Sequence, residues 1–226
     1  TVLMRAGNRE RALAVLDDAA DGGAGRSVID AAIEKAQLLS MFGEGRDAIK
    51  LLDETLARFP GHPLLRYERA TALERSGRSA ESLRGFEVIL KECPQDSLVQ
   101  NALGYTLADH NQQLGRAETL IRQALSASPD SAAILDSLAW VRYRRRDATR
   151  ALPLLERAWR LANDAEIAAH WGEVLWSVGR HDDASAVWSR ALVFAPQSTA
   201  LQAVIARFTP AARKKADPAA PAARNP

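Results

Sequence analysis

The sequence predicts an all-α solenoid of about five to six stacked helix pairs closed by a carboxy-terminal capping helix, and two observations carry that prediction. A motif recurs along the chain: a small residue, a large apolar residue four later, a small or apolar residue three beyond that, and proline five further on. Its copies begin at Ala48, Ser82, Ala117, Ala151 and Ala184, spaced by 34, 35, 34 and 33 residues. Apolar positions four and three apart share one face of a helix, whereas β-branched residues nowhere alternate over the length a strand needs.

In chain order the motif reads Ala48, Leu52, Thr55, Pro60, then Ser82, Phe86, Ile89, Pro94, then Ala117, Ile121, Ala124, Pro129. It continues as Ala151, Leu155, Ala158, with Asn163 in place of proline, and ends as Ala184, Trp188, Ala191, Pro196. An earlier set, Ala12, Leu16 and Ala19, stands 36 residues ahead of Ala48 and makes an incomplete first pair, the excess falling in a flexible stretch at 21–25. The helix before each motif carries a large residue followed by Gly or Ala, as in Leu103-Gly104, Leu138-Ala139 and Trp171-Gly172, with Ala36 and Ala70 in the same place earlier. A small residue there lets the paired helices approach closely.

The punctuation fits this phasing. Gly43, Gly77 and Gly179 end first helices, and Ser79, Asp147 and Asp164 suit the amino-terminal caps that follow. Two departures are expected to distort the array: Pro153 inside a second helix should bend or loosen it, and the turn His110-Asn111-Gln112-Gln113 has one extra residue and should bulge. Leu201, Val204, Ile205 and Phe208 recur at helical spacing and form the cap. Residues 1–208 are thus the solenoid, and 209–226, rich in Pro, Ala and basic residues, are expected to be a disordered tail. The period of about 34 residues matches the tetratricopeptide repeat, and the chain resembles that family. The resemblance implies a right-handed superhelix whose first helices line the concave side.

Composition narrows the function. The 226 residues are 47% hydrophobic and 26% charged, enough to bury a core. The net charge is +2, but Arg213, Lys214, Lys215 and Arg224 against Asp217 place +3 in the tail and leave the body at −1. A nearly neutral body does not predict a nucleic-acid binder. The single cysteine, Cys93, excludes an internal disulfide, and no apolar run reaches the roughly 20 residues of a membrane span. The opening TVLMRAG reads like the end of a helix whose start is missing, so a processed or excised piece is expected. The histidines His62, His110, His170 and His181 are scattered without metal-ligand spacing, and neither a phosphate-cradling glycine loop nor a GxSxG motif occurs. No enzyme activity, metal or cofactor is expected.

The candidate site is the concave face, where first-helix residues directed away from the partner helix would meet a ligand. These are Asn101, Tyr105, Asp136, Trp140, Tyr143, Arg144, His170, Glu173 and Trp176, a mixture of aromatic anchors with charged and amide groups. The alternative for Trp140, Tyr143 and Trp176 is that they fill space between repeats. Trp171 and Trp188 take core positions, Trp159 fits either role, and Met41 and Phe42 read as packing. Arg142, Arg144, Arg145 and Arg146 form a positive cluster, read either as a solvated helix end or as a seat for a carboxylate-bearing partner.

Within 101–195, the segments NALGYTLAD, ILDSLAWVRYR, AAHWGEVLWSVGR and AVWSRAL are more specific than the repeat consensus. They resemble the carboxy-terminal repeats of large Gram-negative tetratricopeptide proteins, among them the outer-membrane lipoprotein adaptors of a periplasmic carboxy-terminal processing protease. That resemblance implies a periplasmic, outer-membrane-tethered scaffold that holds a protease and its substrates. The residues leave other readings open: the repeat arm of a larger enzyme or of a secretion or polysaccharide-export component, a cytoplasmic location, and self-association into a homo-oligomer.

Overall fold

A computed structural model describes Leu13, Leu16 and residues 25–208. Of the expected incomplete first pair, Leu13 and Leu16 are helical; Ala12, Ala19, the stretch at 21–24 and the tail at 209–226 lie outside the described residues. Among the described residues there are helices and no strand: α1 (Gly25–Met41), α2 (Gly45–Arg58), α3 (Pro63–Arg75), α4 (Ser79–Glu92), α5 (Ser97–Asp109), α6 (Leu114–Ala127), α7 (Ala132–Arg144), α8 (Ala148–Leu161), α9 (Ala165–Ser177), α10 (His181–Phe194) and α11 (Thr199–Phe208). They are five helix pairs followed by a single helix, the tetratricopeptide-type all-α solenoid.

The chain divides into two compact units, residues 1–106 and 107–226, with the boundary inside α5. In the first, Ile29, Ile33 and Leu39 of α1 pack with Ala48, Ile49 and Leu52 of α2 and with Leu65 and Leu73 of α3. In the second, α7 to α11 share a core centred on Trp188, Leu135, Ala158, Leu175 and Leu201. Every small and large apolar motif position of the five full repeats is buried, from Ala48, Leu52 and Thr55 to Ala184, Trp188 and Ala191. The repeat seen in the sequence is therefore the face along which second helices seat.

The turn inside each pair has one construction. In α3–α4, Gly77 N–H donates to Glu74 C=O and Arg78 N–H to Leu73 C=O, the paired bonds that satisfy the last carbonyls of a helix. The same pair of bonds closes α1, α5, α7 and α9. It requires a left-handed residue, which is Gly43, Gly77 and Gly179 in three turns but Asn111 and Arg146 in the others, at φ 54° and 64°. In the 110–113 turn this closure is normal through Gln112. The extra residue is Gln113, itself left-handed at φ 42°, placed just before α6.

Asp147 and Asp164 cap their helices as expected, accepting from Arg150 N–H and from Glu166 and Ile167 N–H. Ser79 does not: Arg78 occupies the cap of α4, and the Ser79 hydroxyl instead donates to Glu74 Oε1 at 3.3 Å. Three residues connect α3 to α4, too few to leave Ser79 outside the helix. Pro153 sits within α8 without ending it. Both Pro153 and Thr149, whose carbonyl loses its helical donor, are exposed, so the loss falls on the solvent side of the helix.

Candidate functional site

The first helices share one register, set by the small residue that touches the second helix. At Gly172 the contact is tightest: a Cβ there would lie 1.9 Å from Trp188 Nε1 and 2.3 Å from its Cε2. The candidate groove residues lie three before and one after this position in α5, three before and one, four and five after it in α7, and two before and one and four after it in α9, where Trp176 turns back onto the second helix.

In the second unit that register holds a connected set of side chains. Trp140 Nε1 donates to Asp109 Oδ1 at 3.1 Å, and its ring stacks on His170 with centroids 4.2 Å apart. His170 Nδ1 donates to Asp136 Oδ2 at 2.8 Å, so α7 and α9 are joined by a stack and a charged hydrogen bond on neighbouring residues. Tyr143 Oη reaches Glu173 Oε1 at 3.5 Å, and Arg207 of α11 pairs with Glu173. Arg144 lies over the Trp140 ring and pairs with Asp109. Burial alone would lower the His170 imidazole, but the charge and hydrogen bond of Asp136, with Glu166 and Glu173 behind it, outweigh burial and hold it above the ordinary histidine value.

Seven of the nine candidate residues, from Asp136 to Trp176, are thus in this unit. Asp136, Trp140 and Glu173 are buried, and Tyr143, Arg144, His170 and Trp176 are half-buried. Trp176 belongs to a different cluster from Trp140: its ring stacks on His181 at 4.2 Å and packs on Trp188 and Phe208. Asn101 and Tyr105 are half-buried on α5 in the first unit. Trp159 is buried, Trp188 fully so, and Trp171 is half-buried against Trp159. Met41 and Phe42 are not packed away as expected but exposed, Met41 by 67%, because α1 ends there and the turn carries both side chains outward.

Three arginines of the cluster pair with the protein's own carboxylates. Arg142 and Arg145 both reach Glu118 on α6, and Arg144 reaches Asp109.

The same face of the first unit is open. A cleft of about 370 Å³ lies between α1 and α3, lined by Gln37, Ser40 and Met41 on one side and Tyr67, Thr71 and Arg75 on the other. Glu68 spans it, accepting from Gln37 Nε2 at 3.0 Å. Burial pushes the Glu68 carboxyl up, partly countered by Gln37 and Arg75, and burial also raises the Tyr67 phenol. Sequence reasoning missed these residues because it followed the tryptophans; carrying the register of Asn101 back by one repeat finds Tyr67, and carrying that of Tyr105 back by one and two finds Thr71 and Gln37.

The five pairs, their buried motif and their shared turn define a tetratricopeptide-repeat protein. The comparisons agree: a family profile described as tetratricopeptide repeat matches residues 33–97. The TPR repeat-containing protein PA4667 of Pseudomonas aeruginosa is 35% identical over 172 residues, 76% of this chain, and the chain spans 29% of that relative's length. Among solved structures, TTC0263, a TPR protein of Thermus thermophilus, superposes with TM-score 0.69 at 21% identity over 78% of this chain and 96% of its own. PilW, a type IV pilus biogenesis factor, does so with TM-score 0.64 at 19% identity over 90% of this chain and 93% of its own. At such identities these two structures speak for the fold alone. No helix among the described residues is long and apolar enough to cross a membrane.

Proposed function

We propose that this chain is a non-catalytic scaffold that binds a segment of another protein along its first-helix face. The observation that carries the reading is the open cleft between α1 and α3, where an aromatic ring, a thioether, an amide, a hydroxyl and both charges meet on adjoining helices. Such a surface is pre-formed, so binding loses little free energy to ordering the receptor. In the second unit Trp140, His170 and Asp136 engage one another and hold α7 and α9 in register.

In the finer reading the chain is part of a periplasmic, outer-membrane-tethered adaptor that presents a carboxy-terminal processing protease to its substrates. The segments from NALGYTLAD to AVWSRAL support it. Immobilised chain should retain a purified periplasmic carboxy-terminal processing protease, and Thr71→Arg, which fills the cleft, should weaken retention about tenfold with an unchanged circular dichroism melt. Failure to retain any such protease sinks the adaptor reading, and equal retention by Thr71→Arg moves the site away from the cleft. The second reading, a repeat arm of a larger enzyme or export component, draws on the 29% share of the longer relative. It would gain if the chain bound a neighbouring domain of its own parent protein in place of the protease.

A further inference from the structure

Glu118 of α6 stands beneath three guanidinium groups. Arg145, which caps α7, is paired with it directly, Arg142 Nε lies 3.7 Å away and Arg122 Nη1 4.0 Å away. One carboxylate among three cations leaves a local charge of +2. Glu118 is only 17% exposed, whereas Arg145 and Arg122 are 46% and 64% exposed, so the anion forms the floor and the cations the rim. Above them is a shallow cavity of about 530 Å³, whose remaining lining is polar: Gly115, Thr119, Gln123 and Ser126. It is built from a second helix and the end of a first helix, away from the register of the candidate groove.

A guanidinium has five N–H donors in a planar fork, and one carboxylate cannot engage those of three arginines. The Glu118 floor fixes where Arg145 stands, and Arg145 and Arg122, the two exposed arginines that line the cavity, have more donors than Glu118 can engage, a pre-set arrangement for a second carboxylate. We propose that this cavity is a separate docking surface for an acidic segment of a partner protein, in which consecutive Asp or Glu side chains bridge Arg122 and Arg145. Two features favour a peptide over other polyanions. The lining has no apolar side chain to insert among lipid chains, and no aromatic ring on which a base could stack.

The test uses the full chain and a fluorescein-labelled hexaglutamate peptide, followed by anisotropy at about 50 mM salt, where ion pairing is least screened. Arg122→Gln/Arg145→Gln should weaken binding at least tenfold. Arg157→Gln/Arg160→Gln removes the same charge from α8, where the two residues pair with Asp130 and Glu156, and should change it less than twofold. The basic tail is common to both variants and cancels in the comparison. Equal loss in the two variants would reduce the effect to a diffuse field and overturn the proposal. Absence of peptide binding, or binding of phosphatidylserine vesicles in its place, would overturn it as well.

Discussion

A methyl group added at Gly172 would fall 1.9 to 2.6 Å from three atoms of the Trp188 indole, and Trp188 is 2% exposed with no free direction in which to retreat. Gly172→Ala is therefore expected to lower stability by about 1–3 kcal/mol, the usual cost of overpacking, which a urea titration would register as a lower midpoint. An unchanged midpoint would mean that α9 and α10 part more easily than their contact suggests. Arg146 argues in the other direction. It holds φ 64° in a turn where three equivalents are glycine, and a left-handed residue with a side chain costs about 1–2 kcal/mol. Part of that is offset by the greater freedom glycine has when unfolded, so Arg146→Gly should stabilise by about 0.5–1 kcal/mol in the same titration. Both residues were visible in the sequence, but only Gly172 was legible: a missing glycine announces itself less clearly than a present one. The Pro94 and Pro196 carbonyls show the same limit. Each accepts from a glutamine six residues on, Gln100 and Gln202, a bond that no hydrophobic pattern encodes.

At the scale of elements, α7 and α9 are joined through His170, which lies among Trp140 and Asp136 of α7 and Glu166 and Glu173 of its own helix. Because the folded imidazole titrates above its ordinary value, the protonated form binds more tightly to the fold than to the unfolded chain. The stabilisation is fully present below the unfolded value, near pH 6.5, and is lost as pH rises through the folded value. Urea midpoints should thus fall as pH rises above the ordinary histidine value, and His170→Gln should flatten that slope. A slope that survives the substitution would assign it to other groups. The helices were legible almost residue by residue, since each motif position must be apolar to be buried, and the burial of Ala117, Ile121 and Ala124 or Ala151, Leu155 and Ala158 leaves no slack. The site was less so. The sequence marks which residues share the first-helix face, but not whether they face a partner or one another. That depends on distances between repeats, such as the 4.2 Å from Trp140 to His170, which lie 30 residues apart and show no joint signature. The arginine run was only half legible for the same reason, since the carboxylate that Arg142 and Arg145 share, Glu118, is on a different repeat.

Across the molecule, each helix packs on neighbours one or two places along the chain within its own unit: α1 with α2 and α3, α3 with α4, α7 with α8 and α9, α9 with α10 and α11. In such an array stability is close to a sum of repeat terms and nearest-neighbour terms, so damage should stay local. Trp188 is the most demanding test, because its side chain meets Trp176 of α9 and Phe208 of α11 as well as the core of its own repeat. Trp188→Ala removes that hub and should cost about 3–5 kcal/mol, a large part of what holds a domain folded. Hydrogen exchange followed by mass spectrometry would then show faster exchange across α9 to α11, with α1 to α4 exchanging at their original rates. Preserved protection in α1 to α4 would mean that the open cleft keeps its shape when the carboxy-terminal repeats are loosened, so a partner bound only there should be retained by the variant. Acceleration throughout would instead make the whole chain one cooperative unit, in which the buried wall of α7 and α9 sets the geometry of a cleft several helices away.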